Sequence, residues 1–180
     1  MKLVLDTCVL YPTVMREMLL GAARLGHFTP LWSARILEEW ARAARKLGPG
    51  GEDQARGEIA LLRANWPGAE LAAAPGIEAR LWLPDPADLH VLAVAVAGSA
   101  EGIVTVNRRD FPRNILAEEG LERLEPDGLL YDLWLKDPKG LADVGARVLV
   151  QANAMERGGW DIRALMKKAR LPRLGKALAG

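Results

Sequence analysis

The feature that most constrains the fold is a pair of short, uninterrupted apolar runs, each closed by an oxygen-bearing side chain. Leu3-Val4-Leu5 is ended by Asp6, and Ile103 to Val106 is ended by Asn107. A strand with one wet face alternates apolar and polar residues, whereas a strand covered on both faces has no reason to. Both runs therefore predict buried parallel strands, and a weaker third strand is expected over 122–124. Between them the period turns helical. Thr13 to Arg24 sets Val14, Met18, Leu19 and Ala22 on one face, and Ser33 can cap a helix through Ile36, Leu37 and Trp40. A Gly/Pro break over 47–52 precedes a helix over 53–65, and Asp85-Pro86 opens another that stops at Gly98. Further helices are expected over 128–136 and 139–155. The order strand, helices, strand, helix, strand predicts an α/β fold with a mainly parallel central sheet. The 180 residues suffice for one such domain, over 1–126, and a helical C-terminal extension over 127–180.

Several function classes drop out on composition. No apolar run approaches the roughly 20 residues of a membrane-spanning helix, so no membrane partner is expected. Asp6 interrupts the apolar amino terminus, and no small-residue cleavage site follows it, so this segment reads as a strand and not as a signal peptide. One cysteine, Cys8, excludes an internal disulfide, and with two histidines it makes a Cys/His zinc site a poor fit. A reducing, cytoplasmic location suits this. The formal net charge is only +1, so a polyanionic partner has to be met by a local basic surface. One candidate is the tail, where Arg157, Arg163, Lys167, Lys168, Arg170, Arg173 and Lys176 face only Glu156 and Asp161.

Chemistry enters through the acids. In an open α/β sheet, the carboxyl ends of parallel strands face the crevice where ligands bind, which places Asp6 and the Asn107/Asp110 pair together. A right-handed crossover returns the Asp85 helix to the start of the 103–106 strand, so Asp85 and Asp88 at its head face the same edge. In the helix after Ser33, Glu39 borders the buried face set by Ile36, while Glu38 turns toward solvent. Like charges crowded into one crevice repel by roughly 4 kcal/mol per pair at ~4 Å and an effective dielectric of 20, so cations or protons must relieve them. Mg²⁺ or Mn²⁺ prefers such carboxylate oxygens, and metal-assisted phosphodiester hydrolysis is the matching reaction.

LVLDTCVLYP, the segment Ser33 to Trp40 and the stretch LPDPADLHVLAVAVAGSAEGIVTVNRRDF, in that order, resemble a PIN-domain ribonuclease of the VapC-like toxin group. The likeness covers about 1–126, and its ending Thr-x-Asn-x-x-Asp-Phe is the most specific piece. It implies a three-layer α/β/α fold and a metal-binding, catalytic set of Asp6, Glu39, Asp88 and Asp110, with Asp85 as an accessory ligand. Thr105 and Asn107 would shape the site. Apart from the resemblance, Arg108 and Arg109 stand beside the acids, where they can grip substrate phosphates or an acidic antitoxin segment. RNA is the implied substrate; an antitoxin protein and a second copy of the chain are candidate partners. One departure concerns Cys8, which stands where such proteins often carry a small polar residue.

Each acid also has a plainer reading. Asp6 can simply end a strand, Asp85-Pro-x-Asp88 is a good helix start by itself, and Asp110 suits a turn. Those readings require separate coincidences at one sheet edge, which favours the joint one. His27 and His90 lack a neighbouring nucleophile; His90 follows the acidic pair and could touch substrate, but the structural reading is favoured. Trp82 and Trp160 are the tryptophans best placed to stack a base. An aspartyl phosphotransferase needs a second acid two residues after the first, and Cys8 occupies that position. A non-catalytic binding module and a nuclease acting on DNA remain as alternatives to the ribonuclease.

Overall fold

The structure, a computed structural model, describes residues 1–155 and 158–180; Glu156 and Arg157 of the basic tail lie outside the described residues. In chain order the elements are β1 (Lys2–Leu5), α1 (Thr7–Leu10), α2 (Thr13–Arg24), β2 (Thr29–Ser33), α3 (Ala34–Ala43), α4 (Gly51–Asn65), β3 (Glu70–Leu71), α5 (Pro75–Glu78), α6 (Leu89–Ala97), β4 (Gly102–Val104), α7 (Arg113–Glu118) and β5 (Glu122–Leu124). Then follow α8 (Pro126–Lys136), α9 (Pro138–Met155), α10 (Ile162–Lys168) and α11 (Pro172–Ala179). The chain forms two compact units. One comprises Met1–Tyr11 and Thr29–Arg123, the other Pro12–Phe28 and Leu124–Gly180.

The first unit is built on a sheet of order β3-β2-β1-β4-β5. Its centre is the apolar run at the amino terminus: Leu3, Val4 and Leu5 are wholly buried. Val4 pairs in parallel with Leu31 of β2 on one side and Ile103 of β4 on the other. The chain steps from β1 outward to β2 and β3, then crosses back past β1 to β4 and β5. Right-handed crossovers in opposite directions put α3 and α4 on one face and α6 and α7 on the other, giving the three-layer α/β/α arrangement. The direction of winding reverses between β1 and β4, and the crevice at the carboxyl ends of two such strands is the ligand site of open sheets.

Local rules account for the flanking elements. Ser33 caps α3, its hydroxyl accepting from the Ile36 amide at 3.3 Å, and Ile36, Leu37 and Trp40 turn to the core. Helix α6 has no polar stripe from Val91 to Ala95 because all five residues are buried, and it packs against β1, β2 and β4. Two strands go beyond those read from the sequence. β2 (TPLWS) carries Pro30 and no alternation, and β3 has two residues pairing Trp32 with Glu70 and Ser33 with Leu71; neither leaves a periodic signal.

The second unit is all helical. In it α2 packs on α8 and α9, and α10 and α11 pack on each other. Gly21 of α2 sits so close to α9 that a Cβ there would come within 2.3 Å of Val144 Cγ1. His27 Nε2 lies 3.2 Å from Asp137 Oδ2, a structural pairing that agrees with the plain reading of that histidine. Among the described residues, no helix is long and apolar enough to cross a membrane.

Candidate metal centre

Asp6 follows β1 directly, and its amide donates to Val104 O of β4 at 3.2 Å, which extends the pairing of the two strands to the crevice. Its side chain is buried and accepts from Thr105 Oγ1 at 2.7 Å and from the Cys8 thiol at 3.1 Å. The Cys8 sulfur also lies 3.3 Å from Thr105 Oγ1 and accepts from the Val106 amide at 3.4 Å. The thiol thus takes up a hydrogen-bonding place in the site that a small polar residue would otherwise fill.

Asp85 ends the approach to α6, and its Oδ1 accepts from the Ala87 amide at 2.9 Å. The turn it caps, Pro86 to Asp88, puts Asp88 at the head of α6. On the β4 side, Asn107 Nδ2 donates to Asp110 Oδ2 at 2.9 Å and reaches Asp88 Oδ2 at 3.5 Å, while Asn107 Oδ1 accepts from the Asp110 amide at 3.3 Å. Carboxylate oxygens of Asp85, Asp88 and Asp110 all lie within 4.8 Å of one another. Asp85, Asp88 and Asp110 are the residues that would hold a divalent ion here. The donors are all hard oxygens, which suits Mg²⁺ or Mn²⁺.

A family model for the PIN domain matches residues 2–109, more than half of the chain. The chain belongs to the PIN domain family. PIN domains are generally nucleases and bind divalent metals through acidic residues. No curated protein and no solved structure matches the chain. The family match holds Asp6, Glu39, Asp85 and Asp88 and stops one residue short of Asp110; the geometry adds Asp110 to the PIN-domain crevice.

The remaining acids act on this trio through their charge. Burial and the charges of Asp6, Asp85, Asp110 and Glu39 push the Asp88 carboxyl up to about 6. Burial also raises Asp6, and the bonds it accepts from Cys8, Thr105 and the Thr7 amide do not cancel that effect. Glu39 behaves differently. Burial pulls it upward, but His90, the Thr7 hydroxyl and Arg35 outweigh that and hold it below the usual carboxylate range. Thr7 Oγ1 donates to Glu39 Oε2 at 3.0 Å, and Arg35 Nε lies 3.7 Å from Oε1. His90 Nε2 is 2.8 Å from Oε1, although neither ring nitrogen makes an aligned hydrogen bond. The Cys8 thiol is pushed up to about 12 by burial and by Asp6, so it stays protonated and inert.

The residues read from the sequence fall into three positions. Asp85, Asp88 and Asp110 form the tight cluster, with Asn107 bridging the last two. Asp6 and Glu39 stand outside that cluster but close enough for their charge to raise Asp88, and Thr105 holds Asp6. Arg108 and Arg109 are exposed on the turn between Asn107 and Asp110. Glu38 lies outside the centre, bonded to Arg42 and to Arg56, which hold it down at about 2. Sequence reading passed over Thr7 and Arg35 and treated His90 as structural; all three touch Glu39. Two signals were available: Thr7 stands next to the strand-ending Asp6 and begins α1, and Arg35 stands four residues before Glu39 on one helix.

Proposed function

We propose that this PIN domain is a Mg²⁺- or Mn²⁺-dependent endoribonuclease, acting on single-stranded RNA as the toxin of a toxin-antitoxin pair of the VapC-like group. The observation that carries the enzymatic reading is the Asp85, Asp88 and Asp110 cluster, with Asp88 raised to about 6 by burial and by its acidic neighbours. At 4.8 Å and an effective dielectric of 20, each ionised pair repels by roughly 3 kcal/mol before salt screening, an arrangement that a divalent ion relieves. A bound divalent ion supplies Lewis acidity toward a phosphodiester and lowers the pKa of a coordinated water.

The chain's own residues fix the geometry. Asn107 holds Asp88 and Asp110 in register, Thr105 and Cys8 orient Asp6, and Thr7, His90 and Arg35 hold Glu39 ionised. Arg108 and Arg109 are exposed beside Asp110 and suit phosphate contact. The ribonucleotide substrate, the toxin role and the VapC-like grouping rest on the resemblance of the segment ending in Thr105-x-Asn107-x-x-Asp110-Phe111. Single strands are the favoured substrate because RNA is recognised chiefly through splayed bases.

The test incubates a fluorescent single-stranded oligoribonucleotide and its deoxy counterpart with the protein in EDTA, Mg²⁺ or Mn²⁺. RNA cleavage should require the ion and fall on the order of 10²-fold or more in Asp6→Asn, Asp88→Asn and Asp110→Asn, as loss of several kcal/mol of transition-state stabilisation implies. Cleavage of DNA alone would change the substrate class. Full activity in all three variants would remove the ligand assignment, and cleavage of neither polymer would favour a binding module.

A further inference from the structure

The near-neutral chain hides an uneven distribution of charge. In the sheet unit, six arginines are matched with acids: Arg35 with Glu78 and Glu39, Arg42 and Arg56 with Glu38, Arg45 with Glu52, Arg63 with Glu70, and Arg80 with Glu119. The C-terminal helices break the pattern. Residues 158–180 carry six basic side chains against one acid, Asp161. Asp161 is engaged in capping α10, accepting from the Ala164 amide at 2.8 Å. Asp127, the acid close to α11, is likewise turned to backbone amides, those of Arg173 and Leu174 at 3.0 Å each.

Arg163, Lys167, Arg170 and Lys176 are exposed, and among the described residues none has an ion pair or a side-chain hydrogen bond. Their opposite side is ordered core, with Leu165, Met166, Leu171 and Leu174 buried. Two further cations are held against rings: Lys168 Nζ lies 4.6 Å from the Trp160 centroid, and the Arg173 guanidinium carbon 3.8 Å from that of Tyr131. Such contacts fix long side chains that solvent would otherwise leave free.

Two features of this face run against stability. Arg163 and Lys167 stand four residues apart on α10, where like charges repel. Arg170 adopts φ +61, a left-handed conformation at the end of α10 that glycine takes with less strain. A merely solvated surface gains nothing from either.

We propose that the exposed side of α10 and α11 is a docking surface for the phosphate backbone of single-stranded nucleic acid, with Arg163, Lys167, Arg170 and Lys176 as its phosphate contacts. The choice of nucleic acid over an acidic protein segment rests on the nuclease reading; the unpaired charge stands without it. Basic residues interleaved with aromatic rings are the usual make-up of a surface that tracks single strands without reading their sequence.

The test uses the whole 180-residue chain in EDTA and follows the anisotropy of a fluorescent oligoribonucleotide from 50 to 200 mM KCl. The Arg163→Ala/Lys167→Ala/Arg170→Ala variant should bind at least tenfold more weakly at 50 mM. Its plot of log affinity against log salt should be shallower by about 2, from ~0.7 per lost phosphate contact. Should that variant misfold by circular dichroism, Arg170→Gly serves alone. It relieves the strained backbone, so affinity should fall and the slope drop by about 0.7 while the melting temperature holds or rises. Unchanged affinity and slope overturn the proposal. So does a triple variant that loses binding to polyglutamate while keeping its RNA affinity, which assigns the face to an acidic protein. Cleavage by the same preparations in Mg²⁺ separates the two readings: binding that depends on these residues without cleavage leaves the surface standing and removes the nuclease, and cleavage with indifferent binding does the reverse.

Discussion

Replacing Asp88 by Asn should make the metal-free protein more stable, although it removes a group from the centre. Asp88 titrates at about 6 in the folded state against 3.8 without the fold. Above pH 6 it is ionised in both states, and its folded form bears the full repulsion of Asp6, Asp85, Asp110 and Glu39 together with partial burial. The difference corresponds to about 3 kcal/mol at 1.36 kcal/mol per unit. Solvent reaches part of the side chain, so about 1–2 kcal/mol is the fair expectation. The change keeps the size and polarity of the side chain and forfeits only the long 3.5 Å contact with Asn107. For a protein of this size, a gain of 1–2 kcal/mol raises Tm by about 3–6 °C.

The assay is thermal unfolding in EDTA at pH 7.5 and again near pH 3.5. A folded pKa above the unfolded one means that proton uptake stabilises the fold, fully so below about 4. The advantage of Asn should therefore be complete above pH 6, shrink from 6 to 4 and vanish below. Mg²⁺ should raise the Tm of the parent protein and do much less for the variant, since a ligand at 100 times its Kd adds about 2.7 kcal/mol. An Asp88→Asn protein that melts at or below the parent in EDTA at pH 7.5, or keeps the same advantage at pH 3.5, refutes the electrostatic reasoning.

Other perturbations probe the surrounding shell. Thr105→Val removes the 2.7 Å bond to Asp6 and should cost about 10–100-fold in Mn²⁺ affinity by calorimetry, with an unchanged circular dichroism spectrum. Cys8, protonated up to about 12, should resist a thiol reagent at pH 8 in the folded protein and react promptly in guanidinium; rapid native labelling contradicts its placement. Gly21→Ala drives a Cβ to 2.3 Å from Val144 Cγ1 and should destabilise the helical unit by about 1–3 kcal/mol in urea titration. Ser33→Ala deletes the cap of α3 and should cost about 1 kcal/mol by the same measurement.

Parts of the centre were legible because local rules and long-range chemistry agreed there. Glu39 and Glu38 were separable by their spacing from Ile36 alone, and the structure puts Glu39 on the crevice and Glu38 among Arg42 and Arg56. Asp85 was readable both as a cap and as an accessory acid, and it is a cap whose carboxylate also belongs to the cluster. The place of His90 was not legible. A histidine two residues into an apolar helix gives no local sign of what it faces, and only the approach of α6 to α3 brings it to 2.8 Å from Glu39. Arg35 needs no such approach, since it stands four residues before Glu39 on α3 itself.

By itself the sequence determined that an α/β sheet would form and that acids would gather at its carboxyl edge. Apolar runs without alternation can be satisfied only by covering both faces of a strand, and chirality fixes the hand of the return path. Tertiary structure alone decided that β2 and β3 extend the sheet, that the early helix α2 packs with α8 and α9, and which three carboxylates come close enough to share an ion. Periodicity states that a face is buried but not against what, and the last few ångströms between charged groups depend on backbones that meet only after the chain has folded.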